Sequence, residues 1–223
     1  MEKKHPNILY WNQPATLTKL VTLLSSNGCA ITSTDTILGL LAPITSEGYK
    51  QLVTLKGKRQ AKPFVVLTGS TNKLATFVDQ ENVSPRLRSF LDKIWPGPAT
   101  IIFKARKDLP TWLKSADGTI ALRCPAHHGL QQLLTSFDGL FSTSANKSGG
   151  ALPKTIEEIH PDLLTNCGAL VLDAPSETLA QKPSTILDCS TILLKPQGAI
   201  RLIREGSYPI DMLEKYYGES FDR

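Results

Sequence analysis

Residues 14–36, PATLTKLVTLLSSNGCAITSTDT, read as a helix, a stop and a strand in succession. Leu17, Leu20, Val21 and Leu24 recur at helical spacing, and Asn27-Gly28 is a suitable C-terminal stop. The apolar stretch 29–32, CAIT, then reads as a short strand. It runs straight into the polar turn Ser33-Thr34-Asp35-Thr36, three hydroxyls and a carboxylate at a strand mouth, which an Asx or ST turn would also explain.

The same alternation continues along the chain. A second helix starts near Ser46, turns Tyr49, Leu52 and Val53 inward, and empties into the basic stretch 56–62. Residues 64–67 read as a buried strand between Pro63 and Gly69. Ser84-Pro85 opens a helix with proline at its first position, ending before Trp95-Pro96-Gly97-Pro98. Further strands are expected at 100–103, 119–123, 140–143, 170–173, 184–188 and 200–204. A helix near 127–137 separates two of them, and another opens at Thr155 with Glu158 as its capping-box partner. Strands alternating with helices through short connections predict an α/β fold, a twisted, open, mixed sheet with flanking helices. Residues 1–206 are expected to form a single domain and 207–223 a short C-terminal extension, polar after about Tyr217, with no second domain.

At 223 residues a folded chain buries roughly 70% of the surface that its unfolded form exposes, so the core needs no staples. Apolar residues at 41% and charged residues at 20% are ordinary for a globular protein. No apolar run reaches the ~18 residues of a membrane span. The N-terminus has charge but no apolar segment of a signal peptide behind it. Cys29, Cys124, Cys167 and Cys189 form no C-x-x-C pair, which argues against zinc ribbons and fits a reducing, cytoplasmic setting. The net charge of +5 suits anionic ligands but is too mild to imply nucleic-acid binding by itself.

P-loop, dinucleotide-fingerprint, nucleophile-elbow and H-E-x-x-H signatures are absent. Adjacent His127-His128 cannot both face one metal and read as a surface pair. What stands out is a set of polar strand ends. The stretch 56–62 holds four cations, Lys56, Lys58, Arg59 and Lys62, either a solvated helix end or a polyphosphate grip. Arg123 closes the apolar strand Thr119-Ile120-Ala121-Leu122, where its planar fork needs a carboxylate or phosphate partner, an internal aspartate or a ligand. Ser142 to Gly150 is dense in hydroxyls, an amide and glycines directly after a strand, as in an anion nest or a sugar-binding loop. Strand ends that converge on one edge of an α/β sheet are where ligands bind.

Several segments together resemble one family. Ser33-Thr34-Asp35-Thr36-Ile37-Leu38-Gly39-Leu40 is similar to its P-T-D/E-T-x-Y/F-G-L opening, and Trp95-Pro96-Gly97-Pro98-Ala99-Thr100 to its W-P-G-P-x-T. Leu122-Arg123-Cys124-Pro125-Ala126-His127 resembles V-R-x-P-x-H, and 143–149 resembles T-S-A-N-x-S-G. Ser184-Thr185-Ile186-Leu187-Asp188 and Arg204-Glu205-Gly206 fit the closing S-T-I/V-x-D and R-x-G. In family order and over residues 29 to 206, these identify the chain as resembling the short, single-domain YrdC-like L-threonylcarbamoyladenylate synthases.

The resemblance implies a twisted sheet around a deep, positively charged cavity. It implies a nucleotidyltransferase joining L-threonine, bicarbonate and ATP, with Mg2+, into threonylcarbamoyl-AMP and pyrophosphate for tRNA modification. Downstream tRNA threonylcarbamoyl-transferase proteins would be its partners, with weak tRNA or double-stranded RNA binding and no membrane association. By the family pattern Thr36, Arg123, Ser142 and Ser184 face threonine. Lys56, Lys58, Arg59, Lys62, Thr119, Ser144, Asn146 and Arg204 face ATP, with Lys56 and Lys58 acting on the leaving pyrophosphate and Thr34 in direct contact or just behind. Departures are Leu38 at an aromatic position, Lys58-Arg59 in place of arginine-proline, Lys62 for asparagine and Leu67 for histidine. The alternative reading is a non-enzymatic RNA-binding module using the same basic cavity, although 7% aromatic residues show no interleaving with basic ones.

Overall fold

The computed structural model describes residues 7–57, 63–175, 179, 182–192 and 199–223. The strand β1 (Asn7–Tyr10) leads into α1 (Pro14–Ser25), whose Pro14 occupies the first turn, where an N–H is not needed. Helix α1 buries Thr16, Leu20 and Leu24, and Asn27 turns left-handed at φ 59° to release the chain into β2 (Ala30–Thr32). Strand β3 (Gly39–Pro43) follows. Thr45 then caps α2 (Ser46–Lys56) by accepting from the Gly48 N–H at 3.0 Å, and Gly57 at φ 72° ends it.

Beyond β4 (Val65–Leu67), Ser84 Oγ accepts from the Leu87 N–H at 3.2 Å and caps α3 (Pro85–Ile94). Strands β5 (Ala99–Lys104) and β6 (Thr119–Arg123) lead to α4 (His128–Leu133) and β7 (Leu140–Ser144). The chain closes with α5 (Pro161–Asn166), β8 (Ala169–Leu172), β9 (Thr185–Asp188), β10 (Arg201–Arg204) and α6 (Ile210–Tyr217). Among the described residues these strands form one ten-stranded sheet in the order β1-β8-β2-β3-β7-β4-β6-β5-β9-β10. Pairing is mixed: β4 runs parallel to β6 and β5 to β9, whereas β3–β7, β4–β7 and β5–β6 are antiparallel. No helix among the described residues is long and apolar enough to cross a membrane.

Strand alternation divides the core in two. Ile31, Leu40, Val66, Ile101, Leu122, Phe141, Leu170 and Leu187 turn to one face, where α2, α3, α5 and α6 cover them. Ala30, Leu41, Leu67, Leu140 and Val171 turn to the other, under α1 and α4. This second core draws on no described residue of β5, β6, β9 or β10. The sheet is therefore roofed along its length on one side and along half of it on the other.

The structure departs from the sequence expectations, or adds to them, at several places. Strands β1 and β3 were not anticipated; β3 is buried throughout, so it lacks the polar alternation that marks a half-exposed strand. Helix α4 stops at Leu133 instead of 137, because Thr135 Oγ1 bonds back to the Gln132 carbonyl and Lys73 takes the carbonyls of Leu134 and Phe137. Thr155 opens only a 3-10 turn, Ile156–Glu158, without a capping bond; His160 stays extended before Pro161, which starts α5. The last residues are mostly exposed, as a polar tail would be, but they are docked: Phe221 is buried with Tyr217 and Phe90, and Asp222 pairs with the chain at Ile200 and Leu202. His127 is not a surface residue, since its side chain is 9% exposed, packs on Trp11, and accepts from the Leu130 N–H to cap α4. With Nδ1 accepting, the proton sits on Nε2, which donates to Asp173 at 2.9 Å.

Candidate functional site

Where the second roof ends, a cavity of about 170 Å³ opens on the bare face of the sheet. Its floor follows from the period of two: Gly39, Val65, Leu67, Thr100, Arg123, Ser142, Ser144 and Ile186 all carry the parity of that face. A register shift at Ile203 pairs Arg204 with Ile186, and so turns Arg204 to the same side. Leu130 of α4, Pro125 and Pro183 complete the walls. Gly39 keeps the floor open, since a Cβ there would lie 3.1 Å from Thr34 Cγ2 and 3.6 Å from Ser142 Oγ.

The turn after β2 is held by Thr34, whose hydroxyl donates to the Ile37 carbonyl at 2.7 Å and accepts from the Thr36 N–H at 3.0 Å. This folds Thr36 and Asp35 towards the end of β6. The buried Arg123 donates from Nη2 to Asp35 Oδ1 at 2.6 Å, from Nη1 to Thr36 Oγ1 at 2.7 Å and from Nε to the Gly97 carbonyl at 3.4 Å. The internal aspartate is thus real, yet the guanidinium still lines the cavity. On the far wall Arg204 donates to the Ser184 carbonyl at 2.8 and 3.1 Å, and Ser184 Oγ lies 2.8 Å from Thr100 Oγ1. Desolvation first, and the nearby Arg123 charge second, hold the Arg204 guanidinium below its ordinary pKa.

Seven sequence candidates therefore meet in one cavity: Thr34, Thr36, Arg123, Ser142, Ser144, Ser184 and Arg204. Lys56 and Asn146 sit beneath it. Lys56 is only 5% exposed, not solvent-facing, and its ammonium donates to the Ser144 carbonyl at 2.8 Å and to Asn146 O and Oδ1 at 2.5 and 2.8 Å. It ties the end of α2 to the loop after β7, a tie doubled by the Ser148 N–H on the Lys56 carbonyl at 3.0 Å. Thr119 does not line the cavity. It shares the face of Arg123 at the other end of β6, with its hydroxyl 2.8 Å from Asp117 and 2.7 Å from Ser115. Lys58, Arg59 and Lys62 lie outside the described residues.

Sequence reasoning did not select Asp35 or Thr100 as site residues. Asp35 could have been found from the need of a buried arginine for a carboxylate. Thr100 is the one hydroxyl residue in an otherwise apolar strand run, Ala99 to Phe103.

The Sua5/YciO/YrdC family, described as telomere recombination, matches residues 22–206. A threonylcarbamoyl-AMP synthase of Xylella fastidiosa is 30% identical over 175 residues, covering 78% of this chain and 92% of that protein. The crystal structure of P. abyssi Sua5 complexed with L-threonine has a TM-score of 0.83 at 19% identity, covering 99% of this chain, which spans 63% of that one. E. coli YciO has a TM-score of 0.75 at 21% identity, covering 92% of this chain and 96% of that one. The two structures share the fold of the twisted sheet, and the matched residues run from α1 past the end of β10, through every strand that floors the cavity. The chain belongs to the Sua5/YciO/YrdC family.

Proposed function

We propose that the protein is an L-threonylcarbamoyladenylate synthase, a nucleotidyltransferase that joins L-threonine, bicarbonate and ATP and releases pyrophosphate. The observation that carries this reading is the convergence of two guanidiniums, Arg123 and Arg204, with the hydroxyl residues Thr34, Thr36, Ser142, Ser144 and Ser184 on one small cavity. Two neighbouring cations held at such a place favour an anionic ligand. At about 170 Å³ the cavity is smaller than the roughly 300 Å³ at which whole small-molecule sites begin. It suits an amino acid, with the nucleotide on the open face beyond. The relatives named threonylcarbamoyl-AMP synthase and the L-threonine complex of P. abyssi Sua5 support the same assignment.

In this reading the threonine amine and bicarbonate condense to a carbamate with loss of water. A carbamate oxygen then attacks the α-phosphorus, the bond from that phosphorus to the β-bridging oxygen breaks, and pyrophosphate leaves. Arg123 takes the threonine carboxylate, with Thr36, Ser142 and Ser184 bonding its remaining polar groups. Val65, Leu67, Leu130 and Ile186 keep water from the labile carbamate. Ser144 and Arg204 meet the phosphates, and Thr119 lies along the open face. Lys56 acts through the loop it holds, presenting Ser144 and Asn146. Lys58, Arg59 and Lys62 are proposed to supply further cations to the pyrophosphate. Positioning and charge stabilisation account for the catalysis, without a covalent intermediate.

Among the described residues no cluster of His, Cys, Asp or Glu could hold a metal. Magnesium is therefore proposed to arrive with the triphosphate as part of the substrate, as is common for this ion. The RNA-binding alternative is not favoured, since the guanidiniums converge on one small cavity, and the relatives named threonylcarbamoyl-AMP synthase support the enzyme reading. The deciding experiment is pyrophosphate release with ATP, threonine and bicarbonate, each omitted in turn. Release that needs all three is expected; equal release without threonine overturns the assignment.

A further inference from the structure

We propose that Asp35 is a positioning residue that sets the direction in which Arg123 meets its ligand, an inference that rests on the threonine reading above. An arginine at a strand end has a long, flexible stem, and two-point recognition of a carboxylate requires that its fork be held still. Asp35 does this from both of its oxygens. Oδ1 accepts from Arg123 Nη2 at 2.6 Å, and Oδ2 accepts from the Ala126 N–H at 2.9 Å, in the loop that follows β6. The carboxylate thereby locks the side chain of Arg123 to the backbone three residues further on. The side chains of the pair are 9% and 13% exposed, so water competes little for either. Thr36 and the Gly97 carbonyl hold the other edges.

This arrangement leaves the fork both fixed and partly free. Of five N–H donors, one on each guanidinium nitrogen is engaged by these described partners. One N–H on each terminal nitrogen remains for a ligand, enough for a two-point contact. Asp35 does not itself line the cavity, whereas Arg123 and Thr36 do. Its effect on substrate is therefore exerted through Arg123.

The test compares Asp35→Asn and Asp35→Glu with wild type, measuring KM separately for threonine and ATP after thermal melting has established folding. Wild-type turnover with all substrates tests the functional reading itself; the split between the two constants in the variants tests this assignment alone. Asp35→Asn keeps one acceptor but loses the charge and the second acceptor. Its threonine KM should rise by about 10- to 100-fold, as expected for a misplaced binding group, with ATP KM within about threefold. Asp35→Glu, which keeps the carboxylate, should fall between wild type and Asp35→Asn; if Asp35→Asn does not fold, Asp35→Glu read alone should still raise only the threonine KM. In an Arg123→Lys background, which has no fork to orient, Asp35→Asn should add little further loss. Equal rises in both constants, or additive losses in the double variant, would overturn the proposal.

Discussion

Leu122 and Arg123 are neighbours in one strand and do opposite work, as do Phe141 and Ser142 two strands away. Leu122 and Phe141 face the side that four helices cover, and both are buried in the larger core. Arg123 and Ser142 face the side where the roof stops at α4, and both line the cavity. The chemistry of this protein is therefore written in alternate residues of the same strands. Polar side chains are tolerated at these positions because no described helix covers them as α1 and α4 cover the rest of that face, and because bonds such as Arg123 to Asp35 satisfy them. The difference teaches that, among the described residues, the site lies where the second helical layer stops.

Exchanging large for small on the covered face should give the largest effect. Phe141 is 1% exposed and touches the rings of Tyr49, Phe64 and Trp112. Phe141→Ala should cost about 3–5 kcal/mol of stability in denaturant titrations, while threonine affinity of the folded variant stays near normal. An affinity loss as large as that of a cavity variant would erase the distinction between faces.

Arg123→Lys tests the bare face. Lysine cannot fork two oxygens, so threonine binding by calorimetry should weaken about 10²-fold with ATP affinity within a few-fold. Equal losses for both ligands would make Arg123 a structural or phosphate residue. Lys56→Ala should lower both turnover and stability, the latter by about 1–3 kcal/mol, because the carbonyls of Ser144 and Asn146 lose a buried donor. An unchanged melting temperature would return Lys56 to a purely catalytic role. Gly39→Ala should raise threonine KM by about tenfold or less while stability changes little, as its methyl enters the cavity beside Thr34 and Ser142.

The smallest effect concerns the thiols. All four cysteines are buried, and burial pushes Cys29 up to about 12 and raises Cys124, Cys167 and Cys189 as well. Since the thiolate is the reactive form, a thiol reagent at pH 8 should label the folded protein negligibly and the denatured protein fully. Rapid labelling of the native protein would show that the covered face opens.

Local signals were legible wherever one short segment sufficed. Helix α1 with its Asn27-Gly28 stop, the proline at the start of α3 and the glycine that ends α2 were all readable, because capping and backbone conformation are set by adjacent residues. Order along the chain also made Thr36, Arg123, Ser142, Ser184 and Arg204 readable as one set. Distance was not legible. Strand β3 escaped because burial on both faces removes alternation, and the partner of Arg123 stayed open because Asp35 lies 88 positions away. The setting of Lys56 was not legible for a related reason: the basic run reads either as a solvated helix end or as a polyphosphate grip, and only the loop after β7 makes Lys56 a buried donor.

The sequence by itself determined most of the elements, though not β1 or β3, the mixed α/β class and the identity of the polar strand ends, since these follow from periodicity, capping and ordered motifs. The tertiary structure alone decided which face those ends share. The register shift at Ile203 that turns Arg204 to the cavity face, the helix α4 that stops short of β6, and the Asp35 carboxylate that locks Arg123 are each a matter of how distant segments pack. Packing free energy depends on contacts between residues far apart in the chain, and no local pattern encodes which of them will meet.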